Sequence, residues 1–139
     1  MTEAYLDACS IIYLTEGALA WRSAVEARLR VLPVTAGLVT SRISRLECRS
    51  KPIRDRDAAL LARYDQTFAA ARLVEMSAPI IERATELRAR YGFRSPDAIH
   101  LATAIDAGAI VFITGDASLT RCADVAVDVL TPRAFPQPT

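Results

Sequence analysis

The sequence predicts an α/β fold: a short, mostly parallel sheet of four to five strands with helices on both faces, a three-layer α/β/α arrangement. Three observations predict it. Short apolar strand-like runs alternate with helical segments along the chain. One run, "AIVFIT" at 109–114, is the continuous apolar kind that parallel sheets bury on both faces. The chain has 139 residues, 52% of them hydrophobic, which suits one domain over 1–139 with a well-buried core.

The elements follow in order. "AYLD" (4–7) reads as a short buried strand ending in an acid, and "SIIYLTEG" (10–17) as a helix stopped by Gly17. "LAWRSAVEARLRV" (19–31) is a second helix. "LVTS" (38–41) is a strand, and "RISRLECRS" (42–50) a helix that Pro52 stops. "DRDAALLARYDQTFAAA" (55–71) places Leu60, Leu61, Tyr64, Phe68 and Ala71 on one helical face. "RLVEMS" (72–77) is a strand. "APIIERATELRARYG" (78–92) lines up Ile80, Ala84, Leu87 and Tyr91, with Gly92 as its cap. In "SPDAIHLATAIDA" (95–107), Ser95 reads as the N-cap, Pro96 as the first helical residue, and Asp97 falls in the first turn. This helix is apolar nearly all round, which predicts a central position. "VAVDVL" (125–130) is a last strand, and the Pro-rich segment 131–139 reads as a loose tail.

Composition narrows the function classes. The net charge of +1 predicts no partner by itself, although sixteen of the seventeen basic residues are Arg and only Lys51 is Lys. Arg suits bidentate phosphate contacts. Cys9, Cys48 and Cys122 are odd in number and lack C-x-x-C spacing, which predicts free thiols in a reducing compartment. Glu3 and Asp7 interrupt the first apolar run, which speaks against a secretory signal. The longest apolar stretch, 98–114, contains His100, Asp106 and Gly108 and is too short and polar to span a bilayer. A cytoplasmic protein is expected.

The chemistry lies in four acids. Asp7 ends the first strand, Asp116 follows "AIVFIT" by two residues, Glu47 sits on the helix after "LVTS", and Asp97 opens the buried helix. Open parallel sheets build sites at the carboxyl ends of their strands. Each acid also has a structural reading. Asp97 can complement a helix dipole, Asp7 and Asp116 can cap, and Glu47 can close a capping box with Ser44. If the four converge, their mutual repulsion calls for a cation, and an all-oxygen set suits Mg²⁺ or Mn²⁺. Such an ion activates water and offsets charge on a phosphoryl oxygen, the apparatus of phosphodiester hydrolysis.

"YLDACSIIYL", "TSRISRLECR", "SPDAIHLATA" and "FITGD" resemble, in order and spacing, the motifs of PIN-domain proteins, and more narrowly of VapC-type toxins from bacterial toxin–antitoxin pairs. The resemblance covers nearly the whole chain. It implies a PIN-like fold, a metal-dependent endoribonuclease, a VapB-like antitoxin that blocks the site, and a toxin homodimer. By position it assigns catalysis to Asp7, Glu47, Asp97 and Asp116. Asp7, Asp97 and Asp116 hold the metal, and Glu47 binds a second ion or orients the attacking water. Thr114 supplies the hydroxyl of the last motif. Where family members often carry Ser or Asn two residues after the first Asp, this chain has Cys9; the adjacent Ser10 is the candidate substitute.

His100 lies three residues past Asp97 on the same helical face and reads as a packed residue with one hydrogen bond. The cysteines read as buried small groups rather than a zinc site. Arg42, Arg45 and Arg49 form a helical stripe that either contacts RNA phosphates or pairs with nearby acids. Leu19, Trp21, Tyr64 and Phe68 belong to the core or, if exposed, to an antitoxin or dimer surface. The main expectation is thus a toxin endoribonuclease that is not a membrane protein. The rivals are a non-catalytic PIN-like scaffold and an aspartate-based phosphatase, for which only Lys51 is available as a phosphate-binding lysine.

Overall fold

A computed structural model describes residues 3–32 and 37–131. Five short strands, β1 (Glu3–Leu6), β2 (Gly37–Ser41), β3 (Arg72–Val74), β4 (Val111–Thr114) and β5 (Val127–Val129), pair in the order β3-β2-β1-β4-β5. Every neighbouring pair is parallel. The order reverses at β1 and β4, and a crevice opens at such a switch point beyond the strand ends.

Side-chain alternation along the strands divides the core into two layers. Tyr5 and Phe112 face one side, where they meet α5 (Ala78–Tyr91) and α6 (Ser95–Asp106) through Ile80, Ala84, Leu87, Ala98 and Leu101. Ala4, Leu6 and Ile113 face the other, against α1 (Ala8–Glu16), α2 (Leu19–Arg30), α3 (Arg42–Arg54) and α4 (Ala58–Ala69). The expected three-layer α/β/α sandwich is present. In β4, Phe112, Ile113 and Thr114 are all buried, as a strand covered on both faces requires. Helix α6 buries six of its residues, including His100.

Several boundaries differ from expectation. Helix α3 runs through Pro52 to Arg54. A proline in the last turn deprives only the carbonyl four residues back of its partner, and the chain closes beyond it through Asp55 N–H to the Lys51 carbonyl and Asp57 N–H to the Pro52 carbonyl, both at 2.9 Å. Arg94, not Ser95, is the N-cap of α6: its carbonyl accepts the first helical bond from Ala98 at 2.9 Å, so Pro96 is the second helical residue. Strand β3 ends at Val74, and Ser77 instead caps α5 by accepting from the Ile80 amide. A 3₁₀ turn, Ala117–Arg121, links β4 to β5 and was not anticipated. Gly92 ends α5 in the left-handed region at φ 75°, as expected of its cap.

Tyr64 and Phe68 are core residues. Trp21 is half-buried and stacks on Tyr13 at 4.3 Å, while Leu19 is exposed. Cys48 and Cys122 are buried free thiols, and Cys9 is half-buried. Among the described residues no helix is long and apolar enough to cross a membrane. The expected loose tail, beyond Thr131, lies outside the described residues.

Candidate active site

Asp7 sits at the switch point, just past β1, and is 6% exposed. Its Oδ1 accepts from the Ser10 amide at 2.9 Å, capping α1, and its Oδ2 accepts from the Thr114 hydroxyl at 2.5 Å. The β1–β4 register, with Leu6 opposite Ile113, brings Thr114 alongside Asp7. The Ser10 hydroxyl donates to the Ile113 carbonyl at 2.7 Å, tying the first turn of α1 to the end of β4. Burial pushes the Asp7 carboxyl above its ordinary value, against the opposing pull of the Thr114 and Ser10 hydrogen bonds.

Asp116 follows β4. Its amide donates to Thr114 Oγ1 at 3.1 Å, and its Oδ1 accepts from the Ser118 amide and hydroxyl at 2.9 and 2.7 Å. One hydroxyl, that of Thr114, therefore touches both acids at this corner. Gly115 lies between them, where a Cβ would have to displace its neighbours. A Cβ there would stand 2.7 Å from Tyr13 Cε2 and 3.1 Å from Cys9 Sγ.

Asp97 occupies the third position of α6, where a carboxylate complements the helix dipole. It lies 3.7 Å from Arg94 Nε across one turn. Burial raises its carboxyl above the ordinary value; Arg94 opposes this, and the negative charges of Asp116 and Glu47 add to it.

Glu47, in the second turn of α3, is 30% exposed and meets His100 Nε2 at 2.7 Å. It forms no capping box with Ser44. Ser41 caps α3, and the Ser44 hydroxyl pairs with Thr40 Oγ1 at 2.7 Å inside the core. His100 makes two hydrogen bonds rather than the expected one, because Tyr5 Oη lies 2.6 Å from its Nδ1.

The structural readings thus hold for Asp7 and Asp116, which do cap, and fail for Glu47. Capping does not remove these acids from the edge. It uses Oδ1 of each and fixes where the other oxygen points. The crowding of all four into one pocket is not reached: among the described residues no group of three or more His, Cys, Asp or Glu side chains is placed to hold a metal ion. The donor chemistry, oxygen throughout, still fits a hard cation, and positive charge would relieve the repulsion acting on Asp97.

The model of one family, the PIN domain, matches residues 4–125, a span that contains Asp7, Glu47, Asp97 and Asp116. The chain belongs to the PIN-domain family. Solved structures with the same fold include VapBC2 from Rickettsia felis bound to a DNA fragment from their promoter. That match has a TM-score of 0.76 and 13% identity, covering 94% of this chain and 100% of the other. A toxin–antitoxin complex from Klebsiella pneumoniae matches with a TM-score of 0.70 and 25% identity over 95% and 99% of the two chains. VapC20 from Mycobacterium tuberculosis, a sarcin-ricin loop cleaving toxin, matches with a TM-score of 0.67 and 15% identity over 85% and 93%. No curated protein sequence matches significantly.

In this PIN domain the Ser10 hydroxyl, the candidate substitute for the polar group missing at Cys9, donates to the Ile113 carbonyl, and Asp7 takes from Ser10 only a backbone amide that any residue there would supply. The arginine stripe is ion-paired: Arg42 with Glu75 at 2.5 Å, Arg49 with Asp65 at 2.9 Å, and Arg45 with Asp65 at 3.9 Å. Sequence reasoning did not find the Arg94–Asp97 pair or the Glu47 partnership of His100. The i, i+3 spacing placed His100 on the correct face of α6, but Glu47 reaches it from another helix 53 positions away.

Proposed function

We propose that this PIN domain is a divalent-metal-dependent endoribonuclease, the toxin of a toxin–antitoxin pair. The observation that carries this reading is the Asp7–Thr114–Asp116 corner at the switch point of a PIN-domain fold, with Asp97 and Glu47 on helices that open at the same edge. The solved neighbours named as VapBC and toxin–antitoxin complexes support the toxin role and a VapB-like antitoxin partner. A homodimer, a cytoplasmic setting and a single nuclease domain over 1–139 complete the proposal.

Phosphodiester hydrolysis needs a water aimed at phosphorus, a group to take its proton, and positive charge opposite the developing negative charge. A bound Mg²⁺ or Mn²⁺ supplies that charge. Asp7, Asp97 and Asp116 would hold it. Thr114 and Ser10 fix the rotamer of Asp7. Glu47 orients the attacking water and takes its proton. Arg42, Arg45 and Arg49, on the exposed side of α3, guide RNA phosphates once their acidic partners are displaced.

The rival scaffold reading, in which the domain only binds a partner, draws on the separation of the carboxylates and on the Arg94 pairing of Asp97. A phosphatase reading has less support, since Lys51 lies on the exposed last turn of α3. Incubating the purified protein with structured RNA, in Mg²⁺, Mn²⁺ or EDTA, and mapping the ends decides between them. Cleavage that needs a divalent ion and disappears in both Asp7→Asn and Asp97→Asn is the expected result. Full activity in both variants overturns the assignment.

A further inference from the structure

His100 is the sole histidine of the chain, 3% exposed, and both ring nitrogens are engaged. Nδ1 meets Tyr5 Oη at 2.6 Å and Nε2 meets Glu47 Oε1 at 2.7 Å. The chain of contacts joins three elements, β1, α6 and α3. Its buried end is rigid. Tyr5 is fully buried, stacks on Phe112 with ring centroids 5.0 Å apart, and packs edge-on to His100 at 5.8 Å and 68°. Its other end, Glu47, is the only one of the three that reaches solvent to any extent.

Hydrogen-bond chemistry permits one arrangement for a neutral ring. An ionised carboxylate can only accept, so Nε2 carries the proton and donates to Glu47. Nδ1 is then the acceptor, and Tyr5 donates to it. Each ring nitrogen is satisfied, as burial demands. Oε1 of Glu47 is thereby held, and Oε2 makes no hydrogen bond to the described residues. A glutamate on an open helix face otherwise samples many rotamers; here one oxygen is pinned from the core side.

We propose that His100, buttressed by Tyr5, is a positioning residue that holds Glu47 by Oε1 and leaves Oε2 to face the attacking water. This rests on the nuclease reading of the site. The imidazole touches neither substrate nor water and acts through Glu47, much as a carboxylate or carbonyl orients a ligating imidazole in other sites. His100 thus stands in the apolar run of α6 because the helix packs between the core and the functional edge.

Two measurements test it. As the sole histidine, His100 gives an unambiguous long-range ¹H–¹⁵N pattern, and a proton on Nε2 is expected. A ring protonated on Nδ1 alone overturns the proposal without reference to activity. Kinetics on cleaved RNA then compare two substitutions. The amide nitrogen of His100→Gln reaches the Nε2 position and can still donate to Glu47. That of His100→Asn reaches only the Nδ1 position. We expect kcat to fall about 10- to 100-fold in the Asn variant with KM little changed, and Gln to recover most of the loss. Equal losses in the two variants, or a change confined to KM, overturn the positioning role while leaving the nuclease reading intact. A wild-type protein that cuts no RNA overturns the nuclease reading and the role with it. Should the Asn variant fail to fold, Tyr5→Phe removes a single hydroxyl. A reduced kcat with the proton still on Nε2 is then expected, and an unaltered rate overturns the buttress.

Discussion

The Thr114 hydroxyl donates to Asp7 Oδ2 at 2.5 Å, between residues 107 positions apart in the chain, and accepts from the Asp116 amide at 3.1 Å. One side chain at the end of β4 thus sets the geometry of two acids at the switch point. Replacing it with Val keeps the shape and removes the donor. Thr114→Val is expected to cost about 1–3 kcal/mol in urea unfolding at neutral pH, the penalty for a buried acceptor left unpaired. A variant as stable as wild type would show that solvent already serves Asp7.

Burial makes the stability of the metal-free protein depend on pH in a defined direction. The Asp7 carboxyl titrates above its ordinary value in the folded state, so the folded protein holds a proton that the unfolded chain has released. Its contribution is complete below the unfolded pKa, near about 4, and is lost as the pH rises through the folded value. Asp97 acts with the same sign. In EDTA, the melting temperature of Asp7→Asn minus that of wild type should therefore grow as the pH is raised across this range. A constant difference would mean that Asp7 ionises as it does in water.

Metal binding should be visible without RNA. If Asp7, Asp97 and Asp116 hold Mn²⁺, saturating Mn²⁺ raises the unfolding free energy of wild type, by about 2.7 kcal/mol at one hundred times Kd. The Asp7→Asn and Asp97→Asn variants should respond weakly or not at all. Absence of any thermal shift in wild type at millimolar Mn²⁺ would favour the scaffold reading.

Gly115 admits Tyr13 to the site wall, and a Cβ there would sit 2.7 Å from Tyr13 Cε2 and 3.0 Å from its hydroxyl. Gly115→Ala is expected to push the Tyr13 ring against Trp21, with which it stacks, at a cost of about 1–3 kcal/mol for overpacking. Trp21 is the sole tryptophan, so its fluorescence reports the shift directly. Adding Tyr13→Ala should restore the stability lost to Gly115→Ala, relative to Tyr13→Ala alone.

Asp65 is exposed and pairs with the half-buried Arg45 and Arg49, so Asp65→Asn should change stability by less than about 1 kcal/mol. If the stripe contacts phosphates, the same substitution tightens RNA binding. Arg45→Gln with Arg49→Gln should weaken it and flatten the salt dependence of log K by about 0.7 per lost contact. RNA affinity indifferent to all three changes removes α3 from the binding surface.

Local pattern sufficed for the layers. The apolar run 109–114 reads as a doubly covered strand and supplies one over Val111–Thr114, with Ile110 left exposed, and the spacing of Ile80, Ala84 and Leu87 reads as one buried helix face, which it is. The four acids were legible because each lies at the end of a strand or in the opening turns of a helix, where a parallel sheet gathers its chemistry. Where sequence reasoning slipped, local rules had been asked to settle tertiary questions. Pro52 has the sequence signature of a stop, yet a last helical turn tolerates it. Glu47 was offered to Ser44, its neighbour in sequence, while its partner waited on α6. The stripe of Arg42, Arg45 and Arg49 was visible, but not that Glu75 and Asp65 neutralise it.

By itself the sequence determined the fold class, the strand-ending acids and the apolar character of α6, because side-chain periodicity and strand-end position are properties of neighbouring residues. Only the tertiary structure decided which hydroxyl grips Asp7, which carboxylate His100 grips, and that no three acids among the described residues group to hold an ion. Those are distances between residues tens of positions apart, set by sheet register and helix packing, and hydrogen bonds are too short in range to be inferred without them.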